Sequence, residues 1–184
     1  MIYLDYAATT PINKEVYDSY VKLLGNYYAN SSSLHKMGLK ANEFLEASRE
    51  SIASLINVKK EEIIFTSGAT ESNNLLLRGL AFAYQNRGKH IITSKVEHPS
   101  ILNTCKQLEE LYGFKVTYLN VTKDGVIDVE ELKSSIQKDT ILVSLMLVNN
   151  ETGAIYDVKR AFEIIREKLN IEYNINILDK CILV

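Results

Sequence analysis

Cysteine is almost missing from this chain: Cys105 and Cys181 are the only two among 184 residues. They are too few and too far apart for a disulfide framework or a metal cluster, and no metal site is read from the sequence. Long apolar runs are lacking as well. No stretch approaches the roughly 18 residues needed to span a bilayer. The first residues, interrupted by Asp5 and Tyr6, contain no charged-then-apolar leader, so a cytoplasmic setting without a membrane is expected. Nor is there an excess of one charge. With 21 Lys+Arg against 23 Asp+Glu the formal net charge is −2, which gives no electrostatic case for nucleic acid or a membrane surface. Repeats, low-complexity tracts and Pro/Gly/Ser linkers are missing too. What remains, 46% hydrophobic and 24% charged, is the composition of one globular domain.

Periodicity supplies the coarse structure. Residues 13–24 read as a first helix, with Val16, Tyr20, Val21 and Leu24 at helical spacing. Residues 39–56 read as a second, striped by Ala41, Leu45, Ser48, Ile52 and Leu55. Then follow a buried strand over 63–66, a helix over 70–86, a strand over 90–94, a helix over 100–112 stopped by Gly113, a strand over 115–119 and a helix over 129–137. A strand over 141–148 is apolar on nearly every residue, which implies burial on both faces. A helix over 158–169 and an extended stretch over 171–178 close the pattern. Strands alternating with helices give an α/β fold, a three-layer doubly wound and mostly parallel sheet, with functional residues at the carboxyl ends of strands.

One local arrangement is chemically pointed. Residues 63–74, IIFTSGATESNN, run from an apolar segment through a Ser-Gly-Ala-Thr turn into an amphipathic helix. The free N–H groups and positive dipole end of a helix start favour an anion, and glycine admits close approach. A phosphate would sit over Gly68, Ala69 and Thr70, with the Thr70 hydroxyl as a further donor. Glu71 would repel it unless the carboxylate faced away. Taken alone, the same residues are also an ordinary turn and cap.

Four further motifs narrow the reading: Leu4-Asp5-Tyr6-Ala7-Ala8-Thr9-Thr10-Pro11, Asn30-Ser31-Ser32-Ser33-Leu34-His35, Glu97-His98-Pro99-Ser100 and Val148-Asn149-Asn150-Glu151-Thr152-Gly153. In this order the chain resembles the amino-terminal part of the cysteine desulfurases. These are pyridoxal-phosphate enzymes of the class V aminotransferase group that supply sulfur for iron–sulfur clusters and tRNA thiolation. The resemblance runs from Ile2 to about Lys168. It implies an incomplete large domain of the aspartate aminotransferase-like fold, divided as a rim segment over 1–35, an α/β core over 36–170 and a divergent tail over 171–184. Enzymes of this type are about twice as long.

The resemblance also implies roles. Ala69 and Thr70 would contact the cofactor phosphate. His98 would stack on the pyridine ring and relay protons, making it both cofactor-binding and catalytic. Asn149 would serve the cofactor's 3′ oxygen and the substrate carboxylate. Each has a plain structural alternative: a partly buried strand-end histidine for His98, and an ordinary turn for Asn149-Asn150. Asp5, Thr9 and Thr10 are read as tying down the N-terminal segment through side-chain bonds to backbone. Ser31 stands where the family usually has proline, which loosens a turn without touching the chemistry. Cys105 reads as a small packed hydrophobe.

Some expected parts have no counterpart. Ser33-Leu34-His35-Lys36 spells the pattern around the family's cofactor-carrying lysine, but it precedes the Asn149 motif instead of following it, so Lys36 is read as a decoy. The aspartate that pairs with the pyridine nitrogen should fall near Asn174, and the nearest is Asp179. Cys181 does not match the sulfur-carrying cysteine. The parent reaction would convert L-cysteine to L-alanine and pass sulfur to an enzyme cysteine, with a homodimer at full length and a sulfur-acceptor or scaffold partner. This chain is expected to be inactive alone. Alternatives are a class V aminotransferase or selenocysteine lyase fragment, or an inert interaction module.

Overall fold

The computed structural model describes residues 2–168, and the expectations for 171–178, Asn174, Asp179 and Cys181 lie outside the described residues. The chain divides into two compact units, residues 1–65 and residues from Thr66 onward.

In the first unit, α1 (Lys14–Asn26) starts where the Asn13 Oδ1 accepts the Glu15 and Val16 N–H groups at 2.8 and 3.4 Å. Its predicted apolar face is present, yet no residue of the helix is buried. Helix α2 (Lys36–Ile56) begins three residues earlier than the periodicity indicates, because His35 caps it: the Nδ1 accepts the Gly38 N–H at 3.2 Å. Gly38 is required there, since a Cβ would collide with the Ser33 carbonyl. Lys36 is thereby the first residue of the helix, and it is exposed. The segment before α1 is tied down by the Tyr3 hydroxyl, which donates to the Asp5 and Thr9 carbonyls at 2.8 and 3.3 Å. These ties replace the side-chain bonds expected of Asp5, Thr9 and Thr10. After a 3-10 turn at Lys60–Glu62, residues 63–66 form no strand among the described residues. Ile64 is 70% exposed, and an apolar run without a neighbouring strand has no ladder to join.

The second unit is a three-layer α/β sandwich. Helix α3 (Ala69–Tyr84) leads to β1 (His90–Ser94), α4 (Pro99–Tyr112), β2 (Lys115–Leu119), α5 (Val129–Ser135), β3 (Thr140–Val143) and α6 (Val158–Lys168). The strands are parallel in the order β2-β1-β3, with His90 opposite Lys115 and Thr140. Right-handed crossovers that move first one way and then the other along a sheet must cover opposite faces. Accordingly Ile91 and Leu142 pack with Leu77, Ala81, Ile101, Cys105 and Leu108 of α3 and α4. Ile92, Leu119 and Val143 pack on the other side with Leu132, Ala161 and Ile165. The alternation of Ile91 and Ile92 is the two-residue period of a strand buried on both faces.

Two details set the strand ends. A Cβ on Gly88 would strike the Asp139 carbonyl, so only glycine lets the lead into β1 pass the lead into β3. The buried His90 imidazole then bridges both neighbours, Nδ1 to Thr140 Oγ1 at 2.7 Å and Nε2 to Thr117 Oγ1 at 2.9 Å, and burial lowers its affinity for a proton. The predicted strand 141–148 joins the parallel sheet only at its start, and its far end pairs instead with Ile155 through an isolated antiparallel bridge at Val148. Ser144 still donates to the Ile92 carbonyl at 2.9 Å, and beyond it the ladder between β3 and β1 ends while β1 stays paired with β2 as far as Ser94. Helix α4 stops at Gly113, whose φ of +69° is the left-handed conformation glycine adopts without a Cβ penalty.

Candidate active site

Strands β1 and β3 are adjacent, but β1 continues into α4 on one face and β3 leads to α6 on the other. Their connections part at the carboxyl ends, the topological switch point where α/β sheets form a crevice. Two bonds fasten its walls. The Glu97 carboxylate accepts the Met146 N–H at 2.6 Å, and the Asn149 side-chain amide donates to the Val96 carbonyl at 3.3 Å. Glu97 is buried, and its desolvation raises the carboxyl from 4.5 to about 6 despite the Met146 and His98 backbone donors. The Asn149 Oδ1 accepts the Glu151 and Thr152 N–H groups, both at 2.9 Å, closing the turn that the sequence suggests. Its amide is thus anchored at both ends, with one Nδ2 hydrogen beyond the Val96 bond.

The start of α3 is open. Its N-cap is Gly68, with no side-chain cap, and a Cβ there would meet nothing within 4 Å. The first intrahelical bond, from the Ser72 N–H to the Gly68 carbonyl, leaves the Ala69, Thr70 and Glu71 amides without partners inside the helix. The Glu71 carboxylate folds back onto Ser67, taking its N–H and hydroxyl at 2.6 Å each, and these bonds hold it below the usual carboxylate range. Thr66 braces the same turn through Ser72 Oγ at 2.7 Å. An uncapped helix start with space over its glycine is the local structure a phosphate group needs.

Helix α4 begins beside it. His98 is the N-cap of α4, its Nδ1 facing the Ser100 N–H at 3.1 Å and Ser100 Oγ at 2.8 Å, and Pro99 takes the first helical position, where no N–H is needed. Thr70, Asn74, His98, Ser100, Asn103 and Gln107 line one cleft of about 340 Å³. Of the residues expected at the site, Thr70 and His98 share this cleft, and Ala69 directly precedes Thr70. Asn149 does not line it, but is bonded to Val96, two residues before His98. Cys105 lies in the core, where burial pushes its thiol up to about 12, out of reach of nucleophilic chemistry.

Three residues that frame the site were given no role from the sequence: Glu97 and Ser100, quoted only as members of the Glu-His-Pro-Ser motif, and Asn73. Asn73 was detectable in principle. It stands four and eight residues before Leu77 and Ala81, on the buried stripe of α3, where a polar side chain must find a partner. That partner is Ser100 Oγ, at 2.7 Å.

The chain matches the Aminotransferase class-V family over residues 2–173. Among curated relatives, a cysteine desulfurase IscS from Dictyoglomus turgidum is 49% identical over 166 residues, 90% of this chain and 42% of that protein. Another, from Neisseria meningitidis serogroup C, is 47% identical over 181 residues, 98% of this chain and 44% of that protein. Among solved structures, a NifS-like protein superposes with a TM-score of 0.86 at 39% identity, covering 89% of this chain and 45% of its own. SspA in complex with cysteine gives 0.84 at 39% identity, covering 90% and 47%. The chain therefore spans less than half the length of these relatives. Family members depend on pyridoxal phosphate, and the uncapped α3 start, whose Thr70 shares a cleft with His98, has the open amides that a phosphate group needs. By sequence and fold, the chain belongs to the class V aminotransferases and resembles the amino-terminal part of their cysteine desulfurases.

Proposed function

We propose that this chain carries the cofactor-phosphate cup and the ring-facing histidine of a pyridoxal-phosphate-dependent cysteine desulfurase. The parent reaction converts L-cysteine to L-alanine and passes sulfur to an enzyme cysteine for iron–sulfur cluster assembly or tRNA thiolation. The observation that carries the reading is the open α3 start, with Thr70 and His98 lining one cleft. When bound, the cofactor supplies an electron sink for bond cleavage at the substrate. The chain's own residues supply the holding. The Ala69 and Thr70 amides and the Thr70 hydroxyl bind the phosphate, the His98 ring covers one face of the pyridine, and the anchored Asn149 amide offers its remaining hydrogen. The family resemblance supports a cytoplasmic homodimer at full length that hands sulfur to an acceptor or scaffold protein. Among the described residues no helix is long and apolar enough to cross a membrane.

Among the described residues the cleft lining contains no lysine. By itself the chain is accordingly expected to release no alanine from cysteine, and turnover abolished by Lys36→Ala would make Lys36 the cofactor's anchor after all. Equilibrium dialysis with pyridoxamine 5′-phosphate, which cannot condense with surface lysines, tests the cup directly. Weak binding, competed by inorganic phosphate and weakened at least about threefold by Thr70→Ala or His98→Ala, is expected from the loss of one hydrogen bond or ring contact. Binding indifferent to both substitutions would refute the assignment.

A further inference from the structure

Behind His98 lies a chain of hydrogen bonds that the cup and the ring contact do not explain. Asn73 on α3 is 2% exposed, and its Nδ2 meets Ser100 Oγ at 2.7 Å. Ser100, itself buried, meets His98 Nδ1 twice, through Oγ at 2.8 Å and through its backbone N–H at 3.1 Å. Thr104 fixes the far side of the turn, its hydroxyl lying 2.8 Å from the Ser100 carbonyl and 2.9 Å from Asn74 Oδ1.

The donor inventory makes this chain directional. An amide nitrogen only donates, so the Asn73 NH₂ occupies a lone pair of Ser100 Oγ and the serine hydrogen must point elsewhere. The remaining close acceptor is His98 Nδ1. The Ser100 backbone N–H also only donates, and it reaches the same nitrogen. Two donors converging on Nδ1 require a lone pair there, which puts the ring proton of neutral His98 on Nε2. Reversing the Asn73 amide would not free the ring. The Ser100 backbone N–H reaches Nδ1 whichever way the Asn73 amide is turned, and a backbone N–H can only donate.

We propose that Asn73 and Ser100 are positioning residues that hold His98 as its Nε2–H tautomer, with the ring fixed at the α4 start as a hydrogen-bond donor. His98 then gives a hydrogen bond through Nε2 and cannot accept one there. The catalytic meaning of the lock rests on the placement of His98 against the cofactor ring, but the lock itself is a property of this chain's own residues.

The test is the imidazole nitrogen spectrum of the full 184-residue chain labelled with ¹⁵N-histidine, recorded near pH 8.5, well above the ordinary histidine range. The chain has three histidines, and His98→Gln identifies the relevant signals. The parent should show an unprotonated Nδ1 and a protonated Nε2 at His98. Ser100→Ala removes the hydroxyl donor, and the ratio of Nδ1–H to Nε2–H forms should rise about fivefold, the worth of one hydrogen bond. Ser100→Thr, which keeps the hydroxyl, should restore the parent spectrum. Asn73→Leu, which leaves α4 unaltered, should shift the same nitrogens in the same direction by less. His90, clamped between Thr117 and Thr140, reports in each sample whether the fold is intact. An Nδ1–H His98 in the parent, or His98 nitrogens unmoved in both variants while His90 is unchanged, overturns the proposal. Pyridoxamine phosphate binding on the same samples separates the two readings. A locked tautomer without binding would sink the cofactor assignment alone, and binding without the lock would sink only this one.

Discussion

Helices α1 and α4 have equally regular apolar stripes and opposite fates. Val16, Tyr20, Val21 and Leu24 on α1 are 49–59% exposed, whereas Ile101, Cys105 and Leu108 on α4 are 0–3% exposed. Helical periodicity states that a face exists, and says nothing about what covers it. In the second unit α4 has the sheet and α3 to close on, and every residue of β1 is buried. The first unit offers α1 no comparable cover. The lesson is energetic: burial, not amphipathicity, makes a helix part of a cooperative core.

The sharpest break of this comparison is a matched truncation. Leu108→Ala, deep between α4 and the sheet, should cost about 3 kcal/mol, because a core leucine leaves both lost transfer energy and a cavity. Leu24→Ala on α1, a change of identical chemistry, should stay within about 0.5 kcal/mol. Urea melts of the two variants decide it, and equal midpoints would mean that α1 is packed as tightly as α4.

A second test turns on Glu97, where the second unit's tight packing disfavours a charge. Its carboxyl is raised in the folded chain from 4.5 to about 6, so the native state holds the proton more tightly than the unfolded one. Its stabilising contribution is therefore complete below 4.5 and lost as pH rises through about 6. Glu97→Gln keeps an acceptor for the Met146 N–H without the charge. It should be more stable than the parent by up to about 2 kcal/mol near pH 8, with the difference vanishing in acid. A gap independent of pH would show that ionisation of Glu97 is not what burial opposes. His90 acts in the opposite sense: its lowered proton affinity costs stability as pH falls below 6.5.

The smallest expected effects come from helix caps. Asp128 Oδ1 accepts the Glu130 and Glu131 N–H groups at 2.9 and 3.4 Å, much as Asn13 caps α1. Asp128→Ala should lower global stability by about 1 kcal/mol, since α5 packs on the core through Leu132. Asn13→Ala should fray α1, visible as faster amide exchange over 14–18, and leave the global midpoint in place. A lowered midpoint in the second case would join α1 to the cooperative unit.

Several local features of the candidate site could be read before any fold was known. The Ser-Gly-Ala-Thr turn is a local motif, and α3 begins at Ala69, one residue before the expected start, uncapped and open. The Asn149 turn is equally local and closes on its own Glu151 and Thr152 amides. The histidine caps of α2 and α4 were less visible, because histidine is not among the residues whose short side chains usually cap helices. The Ile63–Thr66 strand failed for a different reason. Four apolar-leaning residues look alike whether or not a neighbouring strand exists, and here no ladder receives them.

The sequence by itself determined the alternation of strands and helices after residue 66, the helix stops such as Gly113, and the family motifs, because these depend on residues a few positions apart. Tertiary structure decided the strand order β2-β1-β3, the exposure of α1, the raised Glu97 carboxyl and the bonds that fix His98. Asn73 and Ser100 are 27 positions apart, and Glu97 and Met146 are 49. Pairings at such separations carry no periodic signature. They exist only when the sheet brings distant segments together and removes the water that would otherwise satisfy their polar groups.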